Sequence, residues 1–265
     1  WQFGGDTLLL HSTSSSTSAL TGNMPKHELG HTGALALVPS GGSLSHSNGY
    51  WCSNAQGVYM PVAYDAGYTC TPDEYSDGYD VMGGSGGFTA PHREKHGYFD
   101  PSNVKIVTAA NQGTYQIYPI EFPTTNLQTI KIPIVGYPLD GLFYYLEYRQ
   151  PGSVFEIGLS SFSNYWSAAP LWKGILIGTG PGLNYRIDNH PRTHTSIQFS
   201  YHANYDAALQ KTEKFIDPLH GIQITLLDVN PSYATVKVEF VCTLVNPTVS
   251  ISPLSQYGAP GQALN

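Results

Sequence analysis

Residues 23–42 read NMPKHELGHTGALALVPSGG, and how this stretch is read decides how the chain is read. Asn23 suits a helix N-cap and Pro25 a position close to the first helical residue. From Lys26 to Val38 the residues are good helix formers apart from Gly30 and Gly33, and Pro39 with Gly41–Gly42 ends the run. A helix over 26–38 is expected. Within it, His27-Glu28-Leu29-Gly30-His31 has the form H-E-x-x-H. A spacing of four puts both imidazoles on one face, one turn apart, where both can bind a single Zn²⁺. Glu28 then stands beside them to take a proton from a zinc-bound water. At this composition the pattern arises by chance about 0.01 times per chain. The plain alternative is a pair of surface histidines.

Outward from the helix, residues 40–100 are rich in Gly, Ser, Tyr, Asn and Asp with little periodicity, and are expected to be an irregular loop ordered by a function or a bound ion. A second short helix is expected at 90–97 (APHREKHG). After Asp100–Pro101 short apolar or alternating runs recur at 104–107, 114–120, 128–135, 142–148, 174–178, 222–227 and 234–241. Alternation with Val, Ile, Thr and Tyr is the strand pattern, and this spacing points to a sandwich or barrel. The expected organisation is 1–100 as a metal-site region, 101–243 as a β-sandwich domain, and 244–265 as a Pro-rich linker or the start of a further Ig-like module.

Composition narrows the function. The chain has 265 residues, 12% charged, with a net charge of −7. A protein that binds nucleic acid through phosphate contacts is ordinarily basic, so no nucleic-acid partner is expected. Hydrophobic residues at 41% allow a substantial core, and no apolar run is long enough to span a membrane. The Tyr- and Ser-rich, Lys-poor balance points to a secreted, extracellular protein. Cys52 and Cys70, 18 apart in a loop-rich stretch, can form one disulfide in an oxidising compartment. Cys242 then lacks a partner in this chain, through missing context or as a buried free thiol. The start at Trp1, without a signal segment, suggests a processed form or a fragment.

Further residues carry a resemblance. Asp73–Gly83 reads DEYSDGYDVMG and is similar to an E-Y-G-D-x-x-D-V-M-G stretch, with Met82 in a turn downstream of the helix, in a chain holding only three Met. Phe88–Tyr98 (FTAPHREKHGY) is similar to F-N-A-x-x-K-x-x-L-G-W, and 144–151 (YYLEYRQP), 174–177 (GILI) and 206–209 (DAAL) look like parts of the β region that follows. In this order the motifs resemble the gametolysin-type zinc metalloproteases of the metzincin clan, including bacterial relatives with a C-terminal β domain. The resemblance covers most of 27–261. It implies an α+β fold, the C-terminal half of a metzincin-like catalytic domain (zinc helix, Met-turn, loops) followed by an all-β sandwich, with Met82 as structural support beneath the metal.

The chain departs from that pattern at two places. H-E-x-x-H-x-x-G-x-x-H requires Gly at 34 and His at 37, where Ala34 and Leu37 stand. His46, in His46-Ser47-Asn48-Gly49-Tyr50-Trp51-Cys52, resembles an H-x-N-x-W-x-C element, and a loop through Gly41–Gly42 would return it as third ligand. The alternatives are a two-histidine site, or an oxygen ligand from Asp65 or Glu74. Only 26 residues precede His27, too few for a metzincin's front half, and Trp1–Gly5 looks like a W-A-x-x-G stretch of a longer precursor. Position 84 is Gly, where some metzincins carry an oxyanion-stabilising Tyr.

The other histidines lack such spacing apart from His92 and His96, which read as packing residues, with metal binding the sharper alternative. The acidic run Asp73, Glu74, Asp77 and Asp80 is too irregular for an EF-hand; a calcium site there competes with a hydrogen-bonded scaffold. The resulting reading is a secreted zinc metalloendopeptidase acting on protein or peptide substrates, with Glu28 as catalytic base and His27, His31 and His46 as metal ligands. Its rival is a catalytically degenerate metalloprotease-like module with a structural, fibre-forming or adhesive role and possible self-association.

Overall fold

The computed structural model describes residues 2–4, 7–9, 23–40, 42–63, 65–83, 86–135, 142–151, 172–191 and 206–241, with side chains from Lys26 onward. Trp1, His11, His194, His202, Cys242 and the expected linker 244–265 lie outside the described residues.

In chain order the strands are β1 Gln2–Gly4, β2 Thr7–Leu9, β3 Ser47–Asn54, β4 Tyr59–Met60, β5 Tyr68–Asp73, β6 Val104–Ile106, β7 Gly113–Ile117 and β8 Thr129–Ile134. They continue with β9 Leu142–Tyr148, β10 Gly174–Gly180, β11 Asn184–Ile187, β12 Leu209–Gln210, β13 Lys214–Asp217, β14 Ile222–Asn230 and β15 Tyr233–Phe240. Two α-helices are described, α1 Asn23–Thr32 and α2 Ala90–His96. Among the described residues the chain is thus mostly β with two short helices, an α+β composition in the broad sense.

A nine-stranded mixed sheet runs β4-β3-β11-β10-β9-β8-β6, with β12 beside β10 and β5 beside β3. A four-stranded antiparallel sheet runs β13-β14-β15-β7. The sheets share one core: Tyr144, Leu146, Tyr148, Ile175 and Ile177 from the first meet Phe215, Ile222, Ile224, Leu226, Val236 and Val238 from the second. Because side chains alternate along a strand, Tyr145, Glu147 and Leu176 point away from that core, toward α2 and the segment around Tyr79. That is why β10 is buried along its whole length, whereas β15 alternates. The metal-site segment lies on this second face.

All seven strand runs read after residue 100 contain strands, and α2 ends at Gly97, whose φ of 78° is the left-handed cap expected of glycine. Two expectations are corrected. Residues 40–100 are not simply loop: β3, β4 and β5 lie there, and β3 pairs in parallel with β11, so the large sheet takes strands from both sides of residue 100. These strands are held by ladders to distant residues and by the Cys52–Cys70 disulfide between directly opposed positions, not by an apolar alternation. The helix does not reach Val38. It stops at Thr32 because Gly33 takes φ 70° and packs on the backbone of Gly42, where a Cβ would collide.

Candidate metal centre

The three histidines named from sequence meet at one point. His27 and His31 project from α1, and His46 immediately precedes β3. Their donor atoms all lie within 4.8 Å of one another, the one such group of three or more His, Cys, Asp or Glu among the described residues. The Nε2 atoms of His27 and His31 are 3.2 Å apart, as are those of His31 and His46. Leu37, at the position the family pattern gives to the third histidine, is exposed and donates its amide to the His96 carbonyl.

Each ring is fixed from behind. His27 Nδ1 donates to the Val81 carbonyl at 2.8 Å, and His31 Nδ1 to the Leu44 carbonyl at 2.9 Å. His46 Nδ1 lies 2.9 Å from Glu74 Oε1. With the proton of every neutral ring on Nδ1, all three Nε2 atoms present lone pairs to one another. The hydroxyl of Tyr75, 2.8 Å from His46 Nε2, is the donor the geometry places there. Facing lone pairs repel, and a cation resolves the conflict. Tetrahedral zinc at 2.0–2.1 Å needs nitrogens about 3.3 Å apart, which matches both observed separations. Outer partners on every Nδ1 also fix tautomer and ring orientation for Nε2 ligation. The donor set therefore fits a borderline metal such as zinc.

Burial lowers the His31 pKa, with His27 and His46 adding to the effect while the Leu44 carbonyl and the Glu28 carboxylate oppose it. The neutral ring that a metal needs is thus favoured, and Glu28 lies within electrostatic reach of the centre.

The floor is built by the turn at 77–83. Met82 is fully buried beneath α1, and a Cβ on Gly30 would collide with its sulfur. Leu44, Val81 and Met82 form a small apolar cluster with Phe88 against them. Leu44 also gives its amide to the Gly30 carbonyl at 3.0 Å, so one residue closes the helix end and anchors His31. Asp77 accepts from Ser47 Oγ, and Asp80 accepts from the Met82 and Thr89 amides and pairs with His92. Burial opposes ionisation of Asp80, but His92 and these hydrogen bonds outweigh it and hold the carboxyl well below the usual range. Arg186, buried on β11, lies 3.4 Å from Asp77 and 2.6 Å from Glu147. Arg149 donates to the Tyr79 carbonyl at 2.8 Å.

The acidic run is therefore dispersed: Glu74 turns to His46, while Asp77 and Asp80 brace the turn from within. Asp65 accepts from the Gly67 amide in its own turn. His92 pairs with Asp80, and His96 bonds the Gly42 carbonyl and packs on Phe88. Sequence reasoning missed Tyr75 and the anchoring carbonyls of Val81 and Leu44. Tyr75 has φ 60°, unusual for a non-glycine residue, and its place follows from the β3–β5 pairing, which has no local signal. A cavity of about 350 Å³ opens beside Val81, lined by Lys26, Leu35, Gly87, Phe88, Arg93 and Tyr98 among others. No family model matches the chain, and neither a curated protein nor a solved structure is detectably similar to it.

Proposed function

We propose that this chain is a zinc-dependent metalloendopeptidase of gametolysin type that cleaves extracellular proteins. The observation that carries the reading is the convergence of three Nε2 atoms, each ring anchored through Nδ1, with Glu28 between two of the histidines on α1. His27, His31 and His46 would hold the metal, leaving room for a fourth ligand as in catalytic rather than structural sites. Zinc bound there supplies Lewis acidity and makes water an effective nucleophile near neutral pH. Glu28 accepts the proton of the attacking water and returns it to the amine nitrogen as the peptide C–N bond breaks. Val81, Leu44 and Glu74 keep the imidazoles in the required tautomer. The largely apolar cavity next to Val81 suits a large apolar side chain beside the cleaved bond. The Cys52–Cys70 disulfide supports an oxidising, extracellular location.

The test is metal content of the purified chain together with casein cleavage, with and without a chelator. Stoichiometric zinc and chelator-sensitive cleavage are expected, with kcat lowered about 10²–10⁴-fold in Glu28→Gln while zinc is retained. Unchanged cleavage in that variant sinks the enzyme reading. Zinc binding without any cleavage selects the structural module instead.

A further inference from the structure

We propose that Tyr75 is a displaceable placeholder in the metal centre, its hydroxyl occupying the His46 Nε2 lone pair until a metal ion takes it. The proposal rests on the metal-binding part of the function above and not on peptide cleavage. His46 Nδ1 faces a carboxylate that only accepts, so Nε2 of the neutral ring carries the lone pair and the Tyr75 hydroxyl must be the donor at 2.8 Å. The phenol ring packs against His46 with centroids 4.1 Å apart and also approaches His27, at 5.8 Å. It thus packs against two of the three rings of the triad.

The backbone beneath it is pinned. The Tyr75 amide donates to Asn48 Oδ1 at 3.0 Å, and Ser76 Oγ, which accepts from the Gly49 amide at 2.7 Å, ties the same turn to β3. Tyr75 holds φ 60° within this frame, a conformation that costs a tyrosine energy and is kept where the surroundings over-determine it. The backbone is fixed, so only side-chain rotation can move the hydroxyl. A lone pair cannot serve a hydrogen bond and a metal together. The phenol either swings off His46 when the metal enters or becomes a fourth ligand itself. Swinging off leaves three protein ligands and an open position, the pattern that water activation requires. Swinging off is the outcome proposed, with the Tyr75–His46 hydrogen bond as a cost that every entering metal ion must meet.

The experiment compares wild type and Tyr75→Phe in Zn²⁺ titrations of the metal-free protein, with thermal melts to establish equal folding. Removing one competing hydrogen bond is expected to tighten zinc binding about 2- to 10-fold. The wild type should also show a zinc-induced tyrosine difference spectrum that Tyr75→Phe lacks. Zinc affinity lowered tenfold or more in Tyr75→Phe identifies a permanent ligand and overturns the placeholder. Unchanged affinity with an unchanged difference spectrum makes Tyr75 a bystander and overturns it equally. A wild type that takes up no zinc overturns the metal-centre reading and this proposal with it, whereas the other two failures strike Tyr75 alone.

Discussion

The histidine centre and the Asp77–Asp80–Arg186 network beneath it share one turn but differ in how their polar atoms are paired. In the network, carboxylates meet guanidinium groups, a histidine and backbone amides away from solvent. Burial acts to raise the Glu147 pKa, but Arg186 and Arg149 overcome it and keep Glu147 ionised. In the centre, three half-buried rings turn acceptors toward each other with one hydroxyl for a donor. A cluster whose opposite charges are paired holds a fold together, even where one donor, Arg186 Nε, meets Asp77 as an ion pair at 3.4 Å without a hydrogen bond. A cluster left with facing lone pairs could hold an added metal ion. The difference separates scaffold from site without reference to any relative.

Four measurements test that separation. The largest effect on folding is expected in the network. Arg186→Met leaves Asp77 and Glu147 buried without their common cation, at a cost of about 3–5 kcal/mol. The melting midpoint should drop by roughly 10 °C or more. A drop of only a degree or two would place the network outside the scaffold. The centre should behave in the opposite way. His46→Ala should change the stability of the metal-free protein by less than about 1 kcal/mol. Its zinc affinity should fall by more than the 10–100-fold that loss of an outer partner such as Glu74 costs. Zinc binding that survives in His46→Ala removes this residue from the ligand set.

A smaller effect is expected where the two regions touch. Gly30→Ala pushes a methyl into the Met82 sulfur, a strain of about 1–3 kcal/mol, against about 1 kcal/mol of improved helix propensity. Denaturant melts should show a net loss that Met82→Ala in the same chain partly reverses. Independent, additive losses would mean that the contact is not what forces glycine at position 30.

The last effect is one of pH and concerns Asp188, which follows β11. Burial pushes its pKa up to about 7, with Asp206 adding to the shift and the His190 amide and ring opposing it. The native carboxyl therefore binds a proton more tightly than the unfolded one, whose pKa is about 3.9. Its contribution is most favourable below about pH 4 and is lost as pH rises through about 7. Asp188→Asn keeps an acceptor for the His190 amide and should stabilise the protein at pH 8 relative to pH 4, by up to about 4 kcal/mol for a shift of roughly three pKa units. Equal effects at both pH values would show that Asp188 is not protonated in the native state.

Much of this was legible from residue order. The strands after residue 100 are local alternations of Val, Ile, Thr and Tyr, and a strand with one buried face writes that pattern directly. H-E-x-x-H is likewise local, since helix geometry alone puts His27 and His31 on one face. The strands at 47–73 were hidden because SNGYWCSN and YTCTPD are half-exposed, and a ladder and a disulfide hold them rather than an apolar stripe. The helix end was misjudged because Ala34–Val38 are good helix formers. Gly33 packed on Gly42 overrides them, a contact invisible in propensity.

The sequence by itself determined the two histidines one helical turn apart, the glutamate between them, and the strand-rich half. Each follows from spacing along a few residues. Only the tertiary structure decided that His46 closes the triad, that Glu74 serves it from behind instead of replacing it, and that Tyr75 lies over it. Those positions depend on how β3 pairs with β5 and β11, and hydrogen bonds between segments as far apart as residues 47 and 184 leave no periodic trace in either one.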